Sequence, residues 1–167
     1  MVLEAFEQNR VLLKVALSPQ HAKSPMDAIK QQLNKMLLKY IDELRGVPVT
    51  FSDIGFPVGK EYGRILGEQP WVHVDVNTTM LVFKPCAGLV LRGTINKVSE
   101  NYTSLLVLGI FNASISGDDM STKYAFNEGN TSWDSATGNL MEGDIMACKV
   151  INFQHANGVL SLVCTLV

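Results

Sequence analysis

The sequence predicts an α+β chain: a small N-terminal helix-on-antiparallel-sheet domain over residues 1–85, followed over 86–167 by a five-stranded β-barrel of the oligonucleotide-binding (OB) type. Three observations predict it. Between residues 29 and 44 apolar side chains recur at helical spacing. Alternating and continuous apolar runs of strand length flank that stretch. Beyond Pro85 every remaining apolar run is strand-like, and a polar insertion interrupts the series before its fourth member.

Val11 to Leu17 reads as a buried strand closed by Ser18-Pro19. The helix follows, with Ser24 as a natural N-cap, Pro25 at the first helical position and Asp27 against the positive end of the helix dipole. Ile29, Leu33, Met36, Leu37, Tyr40, Ile41 and Leu44 form its apolar stripe, while Lys30, Lys35 and Lys39 fall mainly on the solvated side. Burying each large apolar side chain stabilises the fold by about 1.5–3 kcal/mol, well above any propensity term. Gly46 is the expected C-cap, and Pro48 prevents continuation. Val47 to Phe51 reads as a short strand, Asp53 to Gly63 as a long loop, and Arg64 to Leu66 as a brief return strand. From Trp71 to Asn77 the pattern alternates strictly, placing Val72, Val74 and Val76 on one side and His73 on the other. That strand continues through Met80–Phe83 and stops at Lys84-Pro85.

In the second half the strand candidates are Leu89–Val98, Ser104–Leu108, Ile110–Ile115, Asp144–Phe153 and Val159–Val167. Asn157-Gly158 is a hairpin turn, and Leu160, Leu162, Cys164 and Leu166 share one face of the strand after it. A Greek-key barrel accommodates five such strands, with a sandwich edge as the alternative. The insertion, Ser116 to Asn139, is rich in Ser, Gly, Asn and Asp and reads as a mobile loop that Tyr124, Phe126 and Trp133 could partly anchor.

Composition narrows the function. The three cysteines, Cys86, Cys148 and Cys164, are scattered and odd in number, which suits a reducing compartment and no zinc ligand set. With no leader pattern and no membrane-length apolar run, a soluble chain without a membrane partner is expected. The formal net charge of −2 disfavours a protein that holds nucleic acid chiefly by neutralising phosphates. Before Pro85 the bases narrowly outnumber the acids, whereas beyond it the balance is acidic, with only Arg92, Lys97, Lys123 and Lys149 against Glu100, Asp118, Asp119, Glu128, Asp134, Glu142 and Asp144.

No catalytic residues, metal ligands or cofactor site emerge. Asp118-Asp119 reads as a solvated turn, and His21, His73 and His155 stand apart from other ligand types. Gly88 to Gly93 has phosphate-loop spacing without the Lys-Ser/Thr that must follow. The aromatic residues of the barrel are more informative, because bases of single-stranded nucleic acid stack on exposed rings between basic residues. Tyr102, Phe111, Tyr124, Phe126 and Trp133 are candidates, with Arg92, Lys97 and Lys123 as phosphate partners; for each ring the alternative is core or loop packing.

Six ordered motifs carry a resemblance. Val15-Ala-Leu-Ser-Pro19, Gly46-Val-Pro48, Val82-Phe-Lys-Pro85, Gly93-Thr-Ile-Asn-Lys-Val-Ser99, Gly109-Ile-Phe-Asn-Ala-Ser-Ile115 and Gly143-Asp-Ile-Met-Ala-Cys-Lys-Val150 follow one another in this order. In that order the chain resembles the larger stalk subunit of multisubunit RNA polymerases, closest to the RNA polymerase I version. The resemblance implies a non-catalytic role in ribosomal RNA synthesis within the nucleus and nucleolus. It also implies docking on the RNA polymerase I core through a tip loop at Ile54, Gly55, Phe56 and Pro57, with the barrel near the nascent RNA. A smaller stalk subunit and the polymerase I initiation factor are the further partners it implies. The weak RNA contact would fall to Arg92, Lys97, Tyr102, Phe111, Lys123 and Trp133. Two other readings stay open: a stalk subunit of another nuclear polymerase, and a free-standing single-stranded RNA-binding protein.

Overall fold

A computed structural model describes residues 5–21, 23–136 and 138–167. Its contacts divide the chain into two units: Phe6–Phe83, and Lys84–Val167 together with Ala5. Ala5 joins the second unit through its carbonyl, which accepts from the Lys84 N–H at 2.7 Å.

The first unit contains β1 (Phe6–Leu17), α1 (Pro25–Met36), β2 (Val47–Gly55), β3 (Arg64–Ile65) and β4 (Val72–Phe83). The strands pair antiparallel in the order β1-β4-β2, with β3 also on β4. Alternation along β4 puts Val74, Val76, Met80 and Val82 on one face, where they meet Ala28, Ile29 and Leu33 of α1. Only that face is covered, so β1 alternates as well: Val15 and Leu17 are buried, whereas Leu12 is 56% exposed. The expected all-buried strand over 11–17 is therefore half solvated, because a helix shields one side of the sheet. Thr78 faces the core as the polar exception, and its Oγ1 donates to the Ser52 carbonyl at 2.8 Å.

The helix ends at Met36 rather than Leu44. Leu37 is extended, Leu38 turns into the left-handed region at φ 60°, and the Leu38 N–H donates to the Pro48 carbonyl at 2.9 Å. This returns the chain to the sheet by way of a 3-10 turn at Asp42–Leu44 and an Ile41–Gly46 bridge. Met36 and Leu44 still pack against the same core, so the stripe persists after the helix has ended. The left-handed residue that closes this region is Arg45 (φ 50°), not Gly46. Ser24 holds the N-cap position without a side-chain hydrogen bond; its carbonyl accepts from the Ala28 N–H.

The second unit contains β5 (Val90–Val98), β6 (Tyr102–Val107), β7 (Phe111–Ser116), α2 (Gly117–Met120), β8 (Ala125–Asn127), β9 (Ser132–Ser135), β10 (Gly138–Leu140), β11 (Ile145–Ala156) and β12 (Val159–Leu166). Five of the strands close on one another as β11-β12-β7-β6-β5, with β12 parallel to β7 and the other pairs antiparallel. Leu91, Ile95, Leu105, Ile115, Cys148 and Leu162 fill the interior. Register shifts at Ile95/Lys97 and Val150/Asn152 bend β5 and β11, as closing a small barrel requires. Asn157 and Gly158 both have positive φ, which gives the expected tight hairpin before β12.

The insertion is not the expected mobile loop. Its described residues include α2 and a three-stranded antiparallel sheet in the order β10-β9-β8. Met120 is fully buried, and Phe126 meets Trp133 edge-on at 5.2 Å. The Asp134 carboxylate accepts from Ser132 Oγ at 2.6 Å and Asn127 Nδ2 at 2.8 Å, and these bonds hold its pKa below the ordinary carboxylate value. Apolar anchors and satisfied polar groups thus order a stretch whose composition alone signals a loop.

Gly117 sets the entry into α2. Its N–H donates to the Asn101 carbonyl at 2.8 Å, and a Cβ on it would meet the Glu100 carbonyl oxygen and the Asn101 backbone. Main-chain atoms cannot rotate aside as a side-chain tip can. Gly117→Ala is expected to destabilise the barrel by about 1–3 kcal/mol. Urea unfolding followed by circular dichroism measures this, and an unchanged midpoint would remove the close-approach argument.

Candidate nucleic-acid and docking surfaces

The barrel candidates separate by strand parity. Successive residues of β5 alternate between interior and solvent, so Leu91 and Ile95 point inward while Arg92 is exposed. The bulge at Asn96 brings Lys97 outward, beside the first residue of β6. There the Lys97 Nζ lies 5.5 Å from the centre of the Tyr102 ring, which is 37% exposed. A hydrogen bond to the phenol, followed by the charge of the same group, raises the Lys97 pKa above its ordinary value. A cation held against an exposed ring can offer a base both a stacking face and a phosphate contact.

Two of the predicted stacking rings are not available. Phe111 is 4% exposed and Trp133 2%, so both are core residues. Phe111 occupies an inward position at the start of β7. Trp133 is in the middle strand of the insertion sheet, and its Nε1 finds no acceptor among the described residues. Lys123 is exposed but already engaged, its Nζ donating to the Val167 carbonyl at 2.7 Å. Of the six residues singled out, the structure therefore brings together Lys97 and Tyr102, with Arg92 exposed on the same strand as Lys97.

In the first unit, Ile54 and Gly55 end β2, and Phe56 and Pro57 begin the loop. Ile54 packs against the core. Phe56 lines an apolar groove of about 350 Å³ with Leu17, Pro25, Ile29, Val72 and Val74, and is thus partly engaged by its own unit. The most exposed apolar residue of the loop is Val58, at 99%.

Sequence reasoning missed a second cleft of about 270 Å³, lined by Lys14, Lys60, Tyr62, Arg64, Leu66, His73 and Asp75. Lys14 on β1 alternates with the core-facing Val15, and His73 and Asp75 on β4 alternate with core-facing valines. The cleft is therefore on the sheet face opposite α1. Its signal in the sequence was the outward set of each strand, legible once Lys14 pairs with Asp75 and Arg64 with His73.

Among the described residues no three His, Cys, Asp or Glu side chains gather closely enough to hold a metal ion, and no helix is long and apolar enough to cross a membrane.

A family profile described as the RPA43 OB domain in RNA Pol I matches residues 85–167. The Schizosaccharomyces pombe protein named DNA-directed RNA polymerase I subunit rpa43 is 30% identical over 135 residues, covering 78% of this chain and 77% of that protein. The Danio rerio protein named DNA-directed RNA polymerase I subunit RPA43 is 38% identical over 101 residues, covering 60% of this chain and 25% of the relative. A Dictyostelium discoideum protein named as a probable RPA43 is 29% identical over 153 residues, 90% of this chain and 42% of that one. The chain thus spans most of the fission-yeast relative and less than half of the other two.

Proposed function

The chain belongs to the RPA43 family of RNA polymerase I subunits, and from that premise we propose that it works as a non-catalytic stalk subunit of RNA polymerase I in ribosomal RNA synthesis. The observation that carries this reading is the fission-yeast rpa43 match, which extends over more than three quarters of both chains and so takes in more than the barrel. Residues 1–85 dock on the polymerase core, with the loop from Ile54 to Pro57 at the contact, and residues 86–167 form the outward barrel. A smaller stalk subunit, the polymerase I initiation factor and the nascent transcript are the further partners, and the nucleolus is the place of work.

Affinity purification of the tagged chain from nuclear extract tests the assignment. The large polymerase I subunits are expected by mass spectrometry. Recovery of polymerase II or III subunits alone would move the chain to another enzyme. Elution near its own mass, with no polymerase, would favour a free-standing RNA-binding protein.

RNA contact by the barrel is weak on this reading, because residues 86–167 carry more acids than bases and so supply few phosphate partners. Tyr102→Ala is expected to reduce the binding of a short single-stranded RNA on the order of tenfold, the lower part of the range for losing one stacked base. Fluorescence anisotropy at two salt concentrations measures it. Nanomolar affinity at physiological salt would overturn the weak-contact reading, and no change in the variant would exclude this surface as the contact.

A further inference from the structure

We infer that the cleft bounded by Lys14, Lys60 and Arg64 receives an acidic segment of a protein partner, which on the reading above is a subunit of the polymerase core.

Three cations face this cleft against one carboxylate, Asp75. Lys60 is paired with it at 3.3 Å. Lys14 and Arg64 have no ion-pair partner among the described residues, so the cleft keeps two uncompensated positive charges. Such a surplus, set in a concave wall, draws carboxylates and rejects cationic partners.

The apolar part of the cleft separates a protein from an RNA. Tyr62 is 82% exposed and Leu66 57%, with Ile65 and Val58 also uncovered in the neighbouring chain. Aromatic and arginine side chains beside exposed aliphatics characterise the centre of a protein interface. Binding RNA by its phosphates needs a run of cations along a track, whereas here one of the three is already neutralised by Asp75, and Tyr62 and Leu66 add apolar surface beside the other two. The half-buried His73, in register with Arg64, adds a ring donor at the floor. An Asp- or Glu-rich segment carrying an apolar side chain fits this combination: its carboxylates meet Lys14 and Arg64, and its apolar group meets Tyr62 and Leu66.

The test uses the full chain expressed with polymerase in nuclear extract. The double variant Lys14→Glu, Arg64→Glu alters two exposed side chains and is expected to keep the wild-type thermal transition. It is expected to lower recovery of the large polymerase I subunits by at least about tenfold, the loss typical when a charged contact meets a like charge. Equal recovery by wild type and variant would overturn the inference while leaving the polymerase assignment intact. Failure of the wild type itself to recover polymerase I would sink that assignment and this inference with it. Independently of any charge change, a photoreactive amino acid placed at Tyr62 is expected to crosslink to an Asp- or Glu-rich peptide of a core subunit. A crosslink to RNA, or to a peptide without acidic residues, would overturn the proposal.

Discussion

Leu33→Asp is expected to abolish the cooperative unfolding of the first unit. Leu33 is 0% exposed on α1 and belongs to one cluster with Ile29, Val74, Val76 and Met80. A carboxylate there has no cation among the cluster residues, and the aliphatic contacts of the leucine are lost as well. Truncating such a leucine to alanine already costs about 2–5 kcal/mol, and adding an unpaired charge to the same site takes the total beyond what a small unit can absorb. The expected record is a chain with reduced helicity, no sigmoidal first transition and a tendency to aggregate. A thermal melt identical to wild type would refute the placement of α1 on the sheet.

Trp133→Ala is expected to produce the largest truncation effect in the barrel unit, a loss of about 3–5 kcal/mol in urea unfolding. Its indole is the largest fully buried side chain, and it holds Phe126 edge-on at 5.2 Å. Removing it leaves the insertion sheet without its central anchor. Trp133→Phe is expected to cost much less, because Nε1 makes no hydrogen bond among the described residues that phenylalanine would forfeit. If Trp133→Ala instead left stability unchanged and reduced RNA binding, the ring would be a surface stacking group.

Trp133 also shows where the sequence stopped being legible. Strands could be read wherever the period of two was long, as along Val72, Val74 and Val76 or Leu160, Leu162 and Cys164, because alternation follows directly from the pleat. The side on which a lone aromatic falls depends on the pairing of short segments, and Ser132–Ser135 is too short to declare a period. Phe111 misled for a related reason: its ring could be assigned to core or surface only once β7 was in register with β6 and β12. The helix was legible at its start, through Pro25 and Asp27, but not at its end. Apolar spacing continued through Leu44 after Leu38 had entered the left-handed region, a conformation imposed by the bond to Pro48 that no local pattern announces. At the candidate surfaces, Lys97 and Tyr102 were found as residue types, whereas the cleft over Lys14, Arg64 and His73 required the pairing of β3 and of the sequence-distant β1 with β4.

The parallel pairing of β12 with β7 governs when the barrel can exist. Ser161 to Cys164 must find Asn112 to Ile115, with α2, the insertion sheet and β11 all lying between them along the chain. A nascent chain that has just left the ribosome with β5, β6 and β7 holds three strands of an open sheet with two unsatisfied edges. β11 can cover the β5 edge once residues 145–156 emerge, but the β7 edge stays open until residues 159–166 follow, since β12 bridges β7 to β11. Non-local closure of this kind is slow and leaves edges exposed while synthesis proceeds. The time between translation of Ser116 and of Leu166 is therefore the interval in which a chaperone matters most to this protein.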